Sequence, residues 1–310
     1  MMDLLIGTRE GLYSLDGAAP ALDPALGPRD VTALDVSNDV VRAVVDRRTV
    51  VGRDASGTWP ELARSDDLAI DCMLATPNGL LAGTDEAHLL RLGDDGALER
   101  DDGFETVDGR DAWYTPWGGP PAVRSMAVDL AGRIHANVHV GGIPRSVDGG
   151  KSWQPTIDID ADVHQVIAHP TEPDIVLAAG AVGLAISQNG GTSWRIEYDG
   201  LHSRYSRAVA VAGDTILLTA ATGPHGGRGG VYRVPIEGIA FEKCEGGLPE
   251  WLDGNIDSGW LAARGSTVAF GTSDGDVFVS EDEGVTWERA AEGLPWIRVL
   301  AFGAPLGTED

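Results

Sequence analysis

Three segments of the chain repeat one eight-residue pattern, S-x-[DN]-x-G-x-[ST]-W: Ser146 to Trp153 (SVDGGKSW), Ser187 to Trp194 (SQNGGTSW) and Ser280 to Trp287 (SEDEGVTW). No other feature restricts the fold as strongly, because self-similarity at a regular period demands a repeat architecture. The pattern encodes a tight turn between two strands. The Asp or Asn side chain accepts from nearby main-chain N–H and hydroxyl groups, and Gly supplies a backbone with positive φ. Aligning on the Asp position recovers weaker copies at Asp16 (with Ser14), Asp54 (with Thr58 and Trp59) and Asp94 (with Gly96), and one at Ile236 that has lost its Asp but keeps Gly238. The seven turns fall at 16, 54, 94, 148, 189, 236 and 282, with spacings of 38, 40, 54, 41, 47 and 46 residues. A unit of roughly 40 to 50 residues holding four short strands is a propeller blade. The prediction is an all-β chain in which residues 1–310 form a single seven-bladed propeller of four-stranded antiparallel blades. The one long step contains an extra segment, Asp111 to Pro120, read as a loop.

Two apolar strand-like runs precede each turn, for example Val123 to Val128 and then Arg133 to His139, or Arg207 to Val211 and then Thr215 to Thr219. The first repeat opens at its second strand, Asp3 to Gly7, and lacks an innermost one. The run IRVLAFG, Ile297 to Gly303, supplies it from the other end of the chain. Pairing of the C-terminal strand with the N-terminal strands then closes the ring and removes open sheet edges.

These turns resemble the Asp-box, or bacterial neuraminidase (BNR), repeat superfamily of β-propellers, which also includes WD40/YVTN/BNR-like repeat proteins. The resemblance covers the whole chain for fold, and implies relatives that range over sialidases, other glycoside hydrolases, sortilin-type receptors and photosystem assembly factors. In that family the boxes sit on the periphery and perform no chemistry. The F/Y-R-I-P sequence of true sialidases is absent, since Ile143-Pro144-Arg145 follows Gly142 and leads into a box.

Charge narrows the partners. The chain carries 48 acidic and 23 basic residues, a net −25, with 32 Asp against 16 Glu and only Lys151 and Lys243 as lysines. Nucleic acid and anionic membranes suit such a surface poorly. The balance resembles a salt-adapted, halophilic proteome. No apolar run approaches the length of a membrane span, and the N-terminus shows no basic flank or long apolar region, which points to a cytoplasmic protein. Cys72 and Cys244 lie in different repeats and read as reduced core thiols.

On a propeller, the loops entering the innermost strands and those joining second to third strands share one face around the channel. Five of the nine tryptophans, Trp113, Trp117, Trp251, Trp260 and Trp296, fall outside the boxes on loops entering innermost strands or at the starts of those strands. Tyr114, His202 and Tyr205 join them there, with His139 from a second-to-third-strand loop. Aligning the innermost strands also gives one residue per blade near the strand start: Arg42, Asp71, Arg124, His164, Arg207, Ser258 and Arg298. Four arginines around the channel mouth suit bidentate capture of carboxylate or phosphate. The same arginines are equally suited to pairing with the Asp-rich loops, the tryptophans to anchoring long loops, and the histidines to structural roles. His139, His164 and His202 share one rim, but no short ligand spacing of a zinc or EF-hand motif is present, and neither metal nor cofactor is expected.

Two functions remain open. One is a ligand-binding propeller, of glycoside-hydrolase-like type if it is an enzyme, acting on a small anionic or carbohydrate-like molecule, with Asp71 or Asp257 as acid or base. The other is a non-catalytic platform for a protein partner.

Overall fold

The computed structural model describes residues 4–17, 19–238 and 240–303. Asp3, assigned from sequence to the first strand, lies outside them. The described residues form seven four-stranded antiparallel sheets, each running outward from an innermost strand. The innermost strands are Ile297–Phe302, Val31–Ser37, Ile70–Thr76, Val123–Val128, Val163–Ala168, Val209–Ala212 and Leu261–Arg264, which belong to blades 1 to 7 in that order. Each lies beside the innermost strands of both neighbouring blades, so the seven make a continuous ring. The chain is a seven-bladed β-propeller.

Blade 1 is built from both chain ends. Ile297–Phe302 pairs antiparallel with Leu4–Thr8, with Leu4 opposite Phe302 and Ile6 opposite Leu300. This seals the sheet that would otherwise present unpaired N–H and C=O groups.

The second strand of a blade is covered by a neighbouring blade on each face, and its sequence shows it. Leu4–Thr8, Ile134–Val138, Val176–Gly180 and Thr215–Ala220 are buried at every position, and such strands read as mainly apolar runs. Close approach between blades also fixes particular residues. A Cβ on Gly83 would lie 2.6 Å from Val123 Cγ1 of the next blade and 2.7 Å from Cys72 Sγ, so only glycine fits there. The core is a series of inter-blade clusters, such as Leu177, Leu184, Ile216, Leu218, Tyr232 and Phe241 between blades 5 and 6. At roughly 1.5–3 kcal/mol for each large apolar side chain, these clusters hold blades that could not bury both faces alone.

The box turns sit between third and fourth strands, at the outer edge. Asp148 Oδ1 accepts from the main-chain N–H groups of Lys151 and Ser152 at 3.1 and 3.0 Å, and Oδ2 accepts from Ser152 Oγ at 2.7 Å. Ser146 Oγ donates to Asp148 and accepts from Gly150 N at 2.8 Å. Asn189 and Asp282 repeat this arrangement, and Asp54 keeps its Thr58 half. These hydrogen bonds hold the carboxyls of Asp54, Asp148 and Asp282 at about 2, below their ordinary value. Trp153 and Trp287 then fold under their own turns, each Nε1 donating to a glycine carbonyl of the box, at 3.2 and 3.0 Å.

The extra segment in blade 4 is a structured excursion. The stretch Asp111 to Pro120 is preceded by one helical turn, Asp102–Glu105, and itself opens in a 3-10 turn, Arg110–Ala112. Phe104 is fully buried and meets Trp153 edge-on at 5.2 Å and Trp113 at 5.7 Å. Among the described residues no helix is long and apolar enough to cross a membrane.

Candidate functional site at the channel mouth

In five blades the register of the innermost strand slips at its start, leaving one residue unpaired. The residue before the slip is an apolar anchor, Val31, Ile70, Val123, Val163 or Ile297, each at most 1% exposed. The unpaired residue is Thr32, Asp71, Arg124, His164 or Arg298. A β-bulge turns a side chain out of the sheet's alternation, and here it aims one polar group per blade around the channel mouth. In the other two blades Arg207 and Ser258 occupy the approach to strands that begin at Val209 and Leu261.

Arg42 is therefore a correction. It lies on the second strand of blade 2, Val40–Val45, and not on an innermost one. Its guanidinium reaches back to Asp35 at 3.0 Å and Ser37 at 3.1 Å. The run VVRAVV looks like an innermost strand because second strands, buried between blades, are as apolar as innermost ones; the true innermost strand places Thr32 at this position.

A cavity of about 500 Å³ opens at the mouth, and Asp71, Trp117, Arg124, His139, Asp257 and Arg298 line it together with Thr32, Arg47, Thr115, Ser258, Trp260 and Trp296. Larger depressions of about 700 and 860 Å³ lie on the outer edge, lined in part by box residues such as Asp148 and Asp282. The first has no aromatic side chain and the second no cation in its lining, whereas the mouth brings aromatic, cationic and acidic groups together.

Most of the arginines are occupied. Arg298 grips Asp30 with two hydrogen bonds of 2.9 and 2.8 Å. Arg207 is held by Asp257 at 3.0 Å, by the Tyr205 hydroxyl and by the Pro224 carbonyl. Arg47, on the turn between second and third strands, binds Asp71 at 2.5 Å. Arg124 alone of the aligned arginines makes no hydrogen bond or ion pair among the described residues, although its charge acts on Asp71, Asp162 and His164. Burial pushes the Asp71 carboxyl above its ordinary value despite the opposing pull of Arg47.

One side of the mouth holds a compact cluster. His139 Nε2 lies 3.1 Å from Asp162 Oδ1, and His164 Nε2 lies 3.7 Å from Asp162 Oδ2. Trp117 packs at a tilt against His139, with ring centroids 5.0 Å apart, and Tyr205 likewise against His164 at 4.9 Å. Burial, the largest influence, pulls the His164 imidazole down to about 4. At Asp162 burial acts to raise the carboxyl, but His139 and His164 outweigh it and hold it low. Asp162 ends the 3-10 turn Ile159–Ala161 in a left-handed conformation, φ 45°.

The remaining aromatic and histidine candidates are placed apart from the cavity. Trp113 packs with Phe104 and the Val123–Val138 cluster as an anchor of the extra segment. Tyr114 is exposed and outside the cavity lining. His202 donates to or accepts from the Tyr232 hydroxyl at 2.7 Å and meets Trp251 at 4.6 Å, remote from His139 and His164. Tyr205 sits behind the mouth, holding Arg207. Sequence reasoning missed Arg47 and Asp162. Arg47 was findable, since its turn belongs to the loop class that faces the mouth; Asp162 immediately precedes the Val163-His164 pair already singled out.

No protein-family model matches the chain, and no curated protein matches it. Solved structures do resemble it. A putative 6-phosphogluconolactonase from Bacteroides uniformis superposes with a TM-score of 0.65 at 14% identity, over 97% of this chain and 99% of that one. An ancestral GH74 enzyme gives 0.62 at 16% identity over 90% of this chain, which spans only 39% of that protein. YCF48 from Cyanidioschyzon merolae gives 0.58 at 18% identity, over 84% of each chain. At these identities the likeness is one of fold, and the neighbours are β-propellers.

Proposed function

We propose that the chain is an Asp-box propeller that binds a small anionic or carbohydrate-like molecule at the channel mouth, in the cytoplasm of a salt-adapted cell. The observation that carries this reading is Arg124: in a chain of net charge −25, it faces the cavity with no hydrogen-bond or ion-pair partner among the described residues, while Arg207 and Arg298 at the same mouth are paired. A free guanidinium offers a carboxylate or phosphate two parallel donors. Trp117, Trp260 and Trp296 supply flat apolar surface beside it. If bonds are broken, Asp71 is the residue suited to act as general acid, because its raised carboxyl keeps a proton nearer neutral pH. The lactonase and glycoside hydrolase neighbours on this fold agree with hydrolysis of a sugar derivative.

Titrating the tryptophan fluorescence of the full chain with aldonolactones, uronates and sugar phosphates in high salt tests this. Loss of a charge-assisted pair at Arg124→Ala should weaken binding roughly ten- to a hundredfold. An affinity unchanged by that substitution overturns the reading. Hydrolysis, where seen, should fall in Asp71→Asn.

A second reading rests on the extra segment, where Trp117 is 66% and Tyr114 45% exposed. Exposed aromatics of this kind suit a protein partner, and capture of that partner should then depend on Trp117 rather than on Arg124.

A further inference from the structure

We propose that His139, Asp162 and His164 form a binding site for one divalent transition-metal ion, zinc by its donor set, in the wall of the channel mouth. The inference stands apart from the ligand reading above, since it uses different residues and a different chemistry.

The surroundings of His164 fix its tautomer. The ring is fully buried, and its Nδ1 lies 2.7 Å from the main-chain carbonyl oxygen of Ser206. A carbonyl only accepts, so Nδ1 carries the proton and Nε2 presents a lone pair. That Nε2 is buried and has no hydrogen-bond partner. What faces it is the Asp162 carboxylate, another acceptor, at 3.7 Å. A buried lone pair thus faces a second acceptor with no proton between them, an arrangement that costs free energy unless a cation or a donating water joins them. Asp162 Oδ1 shows the same deficiency. His139 Nε2 approaches it to 3.1 Å, yet outside hydrogen-bonding direction, and the oxygen is left without a hydrogen bond.

Geometry and donor type agree on the missing centre. The three ligand atoms lie within 4.8 Å of one another. In a tetrahedral zinc site with bonds of about 2.0–2.1 Å, neighbouring ligands stand roughly 3.3–3.4 Å apart; each histidine Nε2 faces a different oxygen of Asp162, at 3.1 and 3.7 Å, so small side-chain shifts would close the set around an ion. Two imidazoles and one carboxylate are a recurrent set for zinc and for other first-row ions, whereas magnesium and calcium prefer oxygen alone. The Ser206 carbonyl supplies the outer hydrogen bond that orients a ligating histidine. His139 also lines the cavity, so a bound ion would keep an open position towards it. Arg124 is the opposing influence, because its positive charge acts on both Asp162 and His164.

The test is zinc uptake by the chelator-stripped full chain, measured by calorimetry, with cobalt as a spectroscopic stand-in. One molar NaCl and excess magnesium keep the acidic surface from contributing. One equivalent of zinc is expected, with cobalt giving the visible bands of a four-coordinate site. Asp162→Asn and His164→Gln should each weaken uptake about 100-fold or more, while His202→Ala leaves it unchanged and Arg124→Ala tightens it. Asp162 is partly exposed, so its variant remains informative if the buried His164 variant fails to fold. Failure of the wild-type chain to bind more zinc than Asp162→Asn would overturn the proposal and leave a bridging water as the occupant. Loss of zinc binding with anion binding intact, or the reverse, separates this inference from the ligand reading.

Discussion

The box turns and the channel mouth are both rings of polar groups repeated around the propeller, yet they are assembled in opposite ways. The hydrogen bonds that Ser146 and Asp148 make within their turn join residues at most four apart in sequence, and Arg91 of the preceding blade adds one to the Gly149 carbonyl from outside. At the mouth, Arg298 binds Asp30 across 268 positions, Ser258 Oγ reaches the His164 carbonyl across 94, and Arg207 meets Asp257 across 50. A local motif carries most of its own partners; the charged groups at the mouth take their counter-ions from a neighbouring blade. The boxes therefore belong to the scaffold, and the mouth to whatever the scaffold presents.

Four measurements bear on that contrast. The largest effect belongs to the boxes: Trp287 is 4% exposed and meets Phe270 at 5.0 Å, so Trp287→Ala should lower unfolding free energy by roughly 3–5 kcal/mol in denaturant titrations and leave mouth ligand affinity unchanged. A joint loss of both would break the separation. Next comes Arg298→Ala, which frees Asp30 at a partly solvated position; its stability loss should stay below about 1 kcal/mol, with the larger change in ligand affinity.

Acid titration gives a third, smaller signal. The carboxyls of Asp54, Asp148 and Asp282 are depressed from 3.8 to about 2. Between those values the unfolded chain binds more protons, so their contribution is present above about pH 4 and is lost as pH falls towards 2. Asp282→Asn should flatten that limb of the stability curve, and an unaltered limb would mean the box carboxyls are not coupled to folding. The smallest expected effect is that of Arg124→Ala on stability, within about 0.5 kcal/mol, because no hydrogen bond or ion pair is lost; a clear destabilisation would show that Arg124 is structural.

The same contrast explains what could be read from sequence. The turn pattern is legible because its hydrogen bonds lie inside an eight-residue window, and the closing strand because Ile297 to Phe302 has no partner other than the incomplete first blade. The mouth was legible as a set of loops, and Asp71, Arg124, His139 and Asp257 do meet there. Their pairing was not legible. Whether an arginine is free or bound turns on a carboxylate from another blade, as with Arg298 and Asp30. Arg42 was misplaced for a related reason: burial on both faces makes a second strand resemble an innermost one. Trp113 and Trp117, four residues apart, were indistinguishable in sequence, yet one is sealed against Phe104 and the other projects beside His139.

The unpaired residue at the start of five innermost strands has an evolutionary consequence. Since the apolar anchor before it holds the strand in place, the bulged position can change its chemistry without disturbing the packing between blades. Thr32, Asp71, Arg124, His164 and Arg298 put four kinds of side chain at five copies of one structural address. Where the bulged residue reaches solvent, as at Thr32 and Arg124, such a propeller can be retuned one blade at a time through single substitutions that leave folding almost untouched, whereas the fully buried His164 is tied to its surroundings.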